Sequence, residues 1–326
     1  MPTPPAALTA RETTRAAVLS VVSNTTLTLT KLTVGWLTGS VSVVAEGIHS
    51  GNDLVASLLA WFAVRKAAEP PDAEHGYGHG KFESLSAFIE AALIVVAAAG
   101  VAWTAVHRLL GGQRTDLEHG PALLVMGFSA VANIVVSSYL FRVARKHQSI
   151  ALEADAWHLR ADVWTSAGVF VGLLLIYFTD WHVVDPLAAV LVAVLILFQG
   201  GKIGWEALGQ LLDRSLPAAE QQLITDLLGE HDDMFLDYHR LRTRRSGRER
   251  QIDLHLVTCP RVTVGEAHGV CDHLEQDVAE RLAHTRLVIH VEPCNEATCP
   301  NRGQDGRDDL VCRLQQRRAQ QTPPRK

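Results

Sequence analysis

The chain has 326 residues, enough for a membrane domain and one soluble domain. Its formal net charge is −5 and no basic stripe runs along it, so nothing points to a nucleic-acid partner. Charge is unevenly placed: residues 15 to about 210 hold long apolar runs, whereas 214–326 are rich in Arg, Asp, Glu and His.

Residues 1–14, rich in Pro and Thr, read as a short N-terminal tail and not as a signal peptide, because no compact apolar stretch precedes a cleavage site. Six spanning helices fit the next part, near 15–37, 41–66, 82–110, 119–145, 150–179 and 184–210. Each holds roughly the twenty residues needed to cross ~30 Å of hydrocarbon. The first two are rich in Thr, Ser and Gly, which suit close packing inside a bundle but weaken a hydropathy signal. Gly35 and Gly39-Ser40 mark the first turn, Gly111-Gly112 the end of the third helix. Pro186 after Trp181-His182-Val183-Val184-Asp185 suits the first turn of the sixth.

The loop after helix two carries Arg65, Lys66 and Lys81, and the loop after helix four carries Arg142, Arg145 and Lys146. The opposite side has only Arg114, with Arg108 near a helix end. The positive-inside rule then puts the loops after helices two and four, both termini and the soluble part in the cytoplasm. No disulfide framework is expected, since the five cysteines all follow residue 258, are odd in number, and nothing in the sequence points to secretion.

The soluble part begins after Leu211-Leu212-Asp213-Arg214-Ser215-Leu216-Pro217. A helix is expected over 218–230 and strands over 235–243 and 250–257, joined by the turn Arg244-Arg245-Ser246-Gly247-Arg248. A helix over 264–282 and a strand from Arg286 to Val291 follow. The expected architecture is an all-α six-helix transmembrane bundle (15–213), then a small α/β ferredoxin-like αββαβ domain (214–296), then a disordered polar Cys-containing tail (297–326).

Chemistry concentrates in repeated patterns. His49-Ser-Gly-Asn-Asp53 and His158-Leu-Arg-Ala-Asp162 each set a histidine and an aspartate four residues apart, on one helix face. Ser57 and Ser166 extend the echo at a common offset. Ionisable groups at membrane depth are expensive and mark functional sites by default. Two nitrogens and two oxygens suit a tetrahedral divalent metal, zinc first, with iron, manganese or cobalt also accommodated. The blander alternative is that each aspartate satisfies a buried polar neighbour.

A second cluster, Asp72, His75 and His79, falls in the loop between helices two and three. It reads either as an interfacial chelate or as a polar glycine-rich turn. A third, His239, His255, His268, His290 and Glu292, is scattered over the soluble part, where surface histidines are common. Cys294, Cys299 and Cys312 could add thiolates, on a loose spacing. Asn24-Thr25-Thr26 matches a glycosylation sequon, but inside a span.

These motifs together resemble the cation diffusion facilitator family of divalent-cation/proton antiporters. HxxxD in helix two, GYGHGKFES after it, HLRAD in helix five, LLDRSLP after helix six, and YHRLRTRRSG with HVEPC in the soluble part keep the family's order from about residue 15 to 295. The resemblance implies a homodimer in the cell (inner or plasma) membrane, each protomer with six helices and a cytoplasmic ferredoxin-like domain, and no enzymatic activity. It implies a transport site at His49, Asp53, His158 and Asp162, a loop site at Asp72, His75 and His79, and a dimer-associated site at His239, His255, His268, His290 and Glu292. Glu292 stands where some relatives have Asp. Lys81 and Asp213 match a charge interlock at the dimer interface. Many bacterial members have Asp where this chain has His49, and the double HxxxD form resembles the zinc-selective branch. The expected activity is Zn2+/H+ antiport out of the cytoplasm. Rival readings are transport of Fe2+, Mn2+ or Co2+, a membrane metal sensor that does not transport, and a metal-dependent hydrolase with Glu46 or Glu90 as base.

Overall fold

The structure, a computed structural model, describes residues 6–39, 41–111, 121–179, 184–258 and 262–294. The turn expected at 181–183, Gly112, Arg114, Cys299, Cys312 and the tail 297–326 lie outside the described residues. The chain divides into two compact units, Met1–Leu212 and Asp213–Lys326.

The first unit holds six long helices among its described residues: α1 (Ala6–Thr38), α2 (Val41–Ala67), α3 (Lys81–Gly111), α4 (Pro121–His147), α5 (Ile150–Thr179) and α6 (Val184–Leu211). Three described stretches are long and apolar enough to cross a membrane: Lys81–His107, Gly127–His147 and Pro186–Leu211. Of the remaining helices, α1 is rich in threonine and serine. Some of the α1 hydroxyls are satisfied within the helix, as Thr25 donates to the Val21 carbonyl (2.7 Å) and Thr26 to the Val22 carbonyl (2.8 Å).

The expected tail at 1–14 is corrected, because α1 already starts at Ala6. Its first turns are tied down by Glu12, which accepts from Lys146 Nζ (2.5 Å) and lies 2.7 Å from His147 Nε2 at the end of α4. Alanine-rich helix has high intrinsic propensity, so this anchor suffices to extend it.

Small residues build the interior. Ala16, Ala17, Ala144, Ala151 and Ala156 are buried with Leu140, Leu152 and Leu159, while Ala87, Ala91, Ala154 and Ala207 form a second cluster with Ile150 and Ile203. Large apolar side chains such as Val96, Trp103, Leu110, Leu191 and Phe198 point outward. That inside-out distribution is what a lipid-facing bundle requires. Pairing of α1 with α2 depends on Gly35: a Cβ there would lie 2.7 Å from Val44 Cγ2 and 2.8 Å from the Val44 backbone nitrogen. Backbone cannot yield as a side chain can. Gly35→Ala is therefore expected to destabilise the bundle by about 1–3 kcal/mol, read as a lower melting temperature in detergent. Gly100→Ala, where nothing lies within 4 Å, should leave it unchanged or higher.

The second unit has the order α7 (Ala218–Glu230), β1 (Asp237–Ser246), β2 (Glu249–Thr258), α8 (Val264–Arg281) and β3 (Thr285–Pro293). The sheet order is β1-β2-β3, with β1 and β2 antiparallel and β2 and β3 parallel, so α8 is the crossover. One face packs under the helices: Ile252, Leu254 and Leu256 of β2 meet Ile224, Leu227 and Leu228 of α7 and Val270, Leu274 and Val278 of α8. Thr263 caps α8 in a reciprocal box with Glu266.

The expected five-residue turn 244–248 shrinks to Gly247-Arg248. Arg244 and Arg245 remain in the ladder opposite Gln251 and Arg250. A two-residue hairpin loop needs positive φ, which Gly247 supplies at +59°. Charge at 244–245 had suggested a solvent loop, but both arginines are ion-paired, to Asp213 and Glu220 respectively.

Candidate functional site

Four side chains from α2 and α5 meet in the helical unit. Each histidine faces the aspartate of the other helix: His158 Nε2 lies 3.1 Å from Asp53 Oδ1, and His49 Nε2 lies 3.6 Å from Asp162 Oδ1. The i,i+4 spacing brings each pair to one face, but the pairing itself is crossed between helices. Ligand atoms of His49, Asp53 and Asp162 lie within 4.8 Å of one another. His158 joins through Asp53. A tetrahedral zinc site has ligand–ligand edges of ~3.3 Å, from Zn–N and Zn–O bonds of ~2.0–2.1 Å. A small inward shift of the ligands would close the set.

The quartet is graded in exposure. The His49 side chain is 50% exposed and that of Asp53 only 7%. His158 Nδ1 and Asp162 Oδ2 are buried with no hydrogen-bond partner. Buried polar atoms in a folded interior are nearly always satisfied, so this residual capacity fits a ligand that is a cation. Asn24 of α1 donates to the Asp53 backbone carbonyl (3.3 Å), bracing the turn that bears the carboxylate. Sequence reasoning saw Asn24 only as a sequon. It also passed over Asp155, fully buried on α5 three residues before His158. The HxxxD pattern counts forward from each histidine, and a backward look along α5 would have found it. Ser57, the echo residue, spends its hydroxyl on the Leu54 carbonyl (3.0 Å).

The loop between α2 and α3 gathers Asp72, His75 and His79 within 4.8 Å. Asp72 Oδ1 accepts from the backbone N–H groups of His75 (2.6 Å) and Glu74 (2.9 Å), which fold the loop back over itself. The His75 backbone bond, outweighing desolvation together with that of Glu74, holds the Asp72 carboxyl below the usual carboxylate range. His79 is buried, its two ring nitrogens have no hydrogen-bond partner, and Nε2 lies 3.3 Å from Asp72 Oδ2. Two imidazoles and a carboxylate so disposed fit a divalent cation.

In the second unit, strand register makes the third set. His239 is opposite His255 on β1 and β2, and His255 is opposite His290 on β2 and β3. Alternation puts His255 on the face away from Leu254 and Leu256, so the three rings form a row with centroids 5.3 and 4.7 Å apart. Glu292, two residues past His290, reaches His255 Nδ1 at 2.6 Å and His239 Nε2 at 3.4 Å. The His255 ring chiefly holds the Glu292 carboxyl below its usual range. A bulge follows His239, with Arg240 at φ +54°. Such bulges re-aim neighbouring side chains.

His268 departs from the expected set. It lies on α8, largely exposed, with Nε2 3.6 Å from Asp272. Its helix covers the opposite face of the sheet from the histidine row, so it does not join His239, His255 and Glu292 within the chain. Cys294 and Cys271 are buried, and burial pushes the Cys271 thiol up, away from the thiolate a metal needs. Lys81 donates to the Leu211 carbonyl (3.3 Å), while Asp213, in the other unit, accepts from Arg244 (3.2 Å). Of the residues nominated as hydrolytic bases, Glu46 is ion-paired to buried Lys31 (3.2 Å) and Glu90 accepts from Ser86 (3.0 Å).

Comparison with known proteins matches residues 17–212 to the cation efflux transmembrane domain and 216–294 to the cation efflux protein cytoplasmic domain. The chain belongs to the cation efflux family. An uncharacterized transporter of Synechocystis sp. is 36% identical over 289 residues, 89% of this chain and 93% of that protein. The cation-efflux pump FieF of Salmonella newport is 34% identical over 285 residues, 87% of this chain and 94% of the pump. A solved zinc form of CzrB is 34% identical, covering 29% of this chain and 99% of its own, at a TM-score of 0.24. The cation efflux membership makes the chain a membrane protein of a transporter family, carrying a helical domain followed by a small α/β domain.

Proposed function

We propose that the chain exports a divalent cation, Zn2+ first, in exchange for protons, by alternating access at His49, Asp53, His158 and Asp162. The observation that carries this reading is the crossed α2–α5 quartet, in which a carboxylate and an imidazole from each helix converge inside the membrane unit. All six helices are taken to span the bilayer, with both termini cytoplasmic. Two protomers would pair, with Lys81 and Asp213 acting near the interface.

Zinc entering from the cytoplasm sheds water and binds neutral imidazole and ionised carboxylate, so binding releases protons. A free histidine titrates near ~6.5, close to working pH, and suits a group that alternates between metal and proton. Rocking of the helices then exposes the site outward, where protons compete for the same atoms and release the metal. Uptake and release thus share one set of ligands without a separate proton wire. The loop set and the histidine row of the soluble domain bind cytoplasmic metal as regulatory sites. His268 would join the latter only if a second protomer supplied it.

Purified protein in liposomes with an imposed pH gradient tests the reading. Zinc should move only when the gradient is present. Movement of manganese, ferrous iron or cobalt with zinc inert would replace the substrate, and no flux with any of them would replace the transporter with a sensor.

A further inference from the structure

A fourth cluster stands apart from the sets above: His231, His273 and Asp277, with ligand atoms within 4.8 Å of one another. His231 closes the C-terminal end of α7, and His273 and Asp277 are one turn apart on α8. Two imidazoles converge on a single carboxylate oxygen, as Asp277 Oδ2 lies 2.9 Å from His231 Nε2 and 3.7 Å from His273 Nε2. The rings meet edge to face with centroids 5.0 Å apart.

Hydrogen-bond bookkeeping singles out this arrangement. His231 Nδ1 lies 2.9 Å from the Leu227 carbonyl oxygen. A carbonyl only accepts, so Nδ1 carries the proton and donates. In neutral imidazole Nε2 then presents a lone pair to a carboxylate oxygen, and two acceptors face each other at 2.9 Å. A shared cation resolves that repulsion. Anchoring one ring nitrogen on a backbone carbonyl while the other binds metal is also the usual outer arrangement of a metal-bound histidine. The distances of 2.9 and 3.7 Å bracket the ~3.3 Å edge of a tetrahedral zinc site. The His231 side chain is 13% exposed and that of His273 43%, so one side of the set is walled by protein and the other open to a water ligand.

We infer that His231, His273 and Asp277 form a further divalent-cation site that clips the end of α7 to α8. The donor set, two nitrogens and one carboxylate with a fourth position for water, takes zinc or a neighbouring first-row ion. Filling it joins the two helices that cover the sheet, and so couples cytoplasmic metal to the rigidity of this unit. The site is independent of the transport reading.

The test uses the full chain, stripped of metal and dialysed against zinc alone at a buffered free concentration. Wild type should retain one zinc per chain more than either His273→Ala or Asp277→Asn. Zinc should also slow hydrogen exchange in peptides spanning 224–231 and 270–278 in wild type, and not in His273→Ala. Equal zinc counts in all three proteins would overturn the site, leaving His231 bridged to Asp277 by a proton alone. So would a missing zinc with unchanged exchange protection. His273 is half-exposed, so its replacement keeps the fold, which the melting temperature of the metal-free proteins verifies.

Discussion

Replacing Asp53 with asparagine is expected to cut pH-gradient-driven zinc flux at least ~100-fold while the protein remains folded. Loss of groups that merely support metal ligands costs ~10–100-fold, and a direct ligand should cost no less. Asp53 is the hub of the quartet: it lies 3.1 Å from His158 and is grouped with His49 and Asp162. Asparagine keeps a carbonyl oxygen to face His158 but removes the negative charge that offsets a dication. Alanine would remove both, leaving the His158 nitrogen buried and unpaired at a cost of ~1–3 kcal/mol, so the asparagine variant separates chemistry from folding. Flux measured in liposomes, beside the melting temperature in detergent, gives the answer. Undiminished flux in a folded Asp53→Asn protein would sink the assignment of the quartet.

In the second unit the largest effect is expected at Glu220. Its carboxylate takes Arg250 in a fork, Oε2 from Nε at 2.8 Å and Oε1 from Nη2 at 3.1 Å, and also takes Arg245 at 2.8 Å. The Arg250 side chain is 4% exposed and donates further to the Ala283 carbonyl (2.6 Å). Glu220→Ala leaves a buried guanidinium without its counter-charge, which costs about 3–5 kcal/mol for a fully buried pair. Glu220 is itself partly exposed, so about 2–3 kcal/mol is expected after solvent screening. Hydrogen exchange of β2 peptides in the full chain should speed accordingly. The same group imposes an acid limit. Burial alone would raise its titration, but the Arg250 hydrogen bond and the charges of Arg245 and Arg250 outweigh it and hold the carboxyl below its usual range. A folded-state value below the unfolded ~4.3 means the stabilisation is complete above that pH and is lost as pH falls through the lowered value. β2 protection in wild type should drop below about pH 4, and the drop should be smaller in Glu220→Ala.

Much of the fold was legible because its signals are local. Long low-charge runs bounded by Gly35, Gly39 and Pro186 located the helices to within a few residues, apart from the start of α1. There the deciding contact, Glu12 with Lys146 and His147, joins residues far apart in sequence. The β strands were recovered with their order, but the ends of the hairpin were not. Arg244 and Arg245 look like loop residues until their carboxylate partners are brought beside them.

The sites divide in a similar way. Sequence alone placed a histidine and an aspartate on one face of each of α2 and α5, since i,i+4 spacing is a property of any helix, and it placed Asp72, His75 and His79 in one short loop. Only the tertiary structure decided that the histidines face the opposite helix's aspartate, because the relative rotation of two packed helices depends on residues far apart in sequence. Strand register aligned His239, His255 and His290 into one row and left His268 on the far side of the sheet, since a pleated strand sends alternate residues to opposite faces. The meeting of His231 with His273 and Asp277 across two helices has no signature in local spacing. It arises from the packing of α7 and α8 on one apolar face, which brings together residues more than forty positions apart.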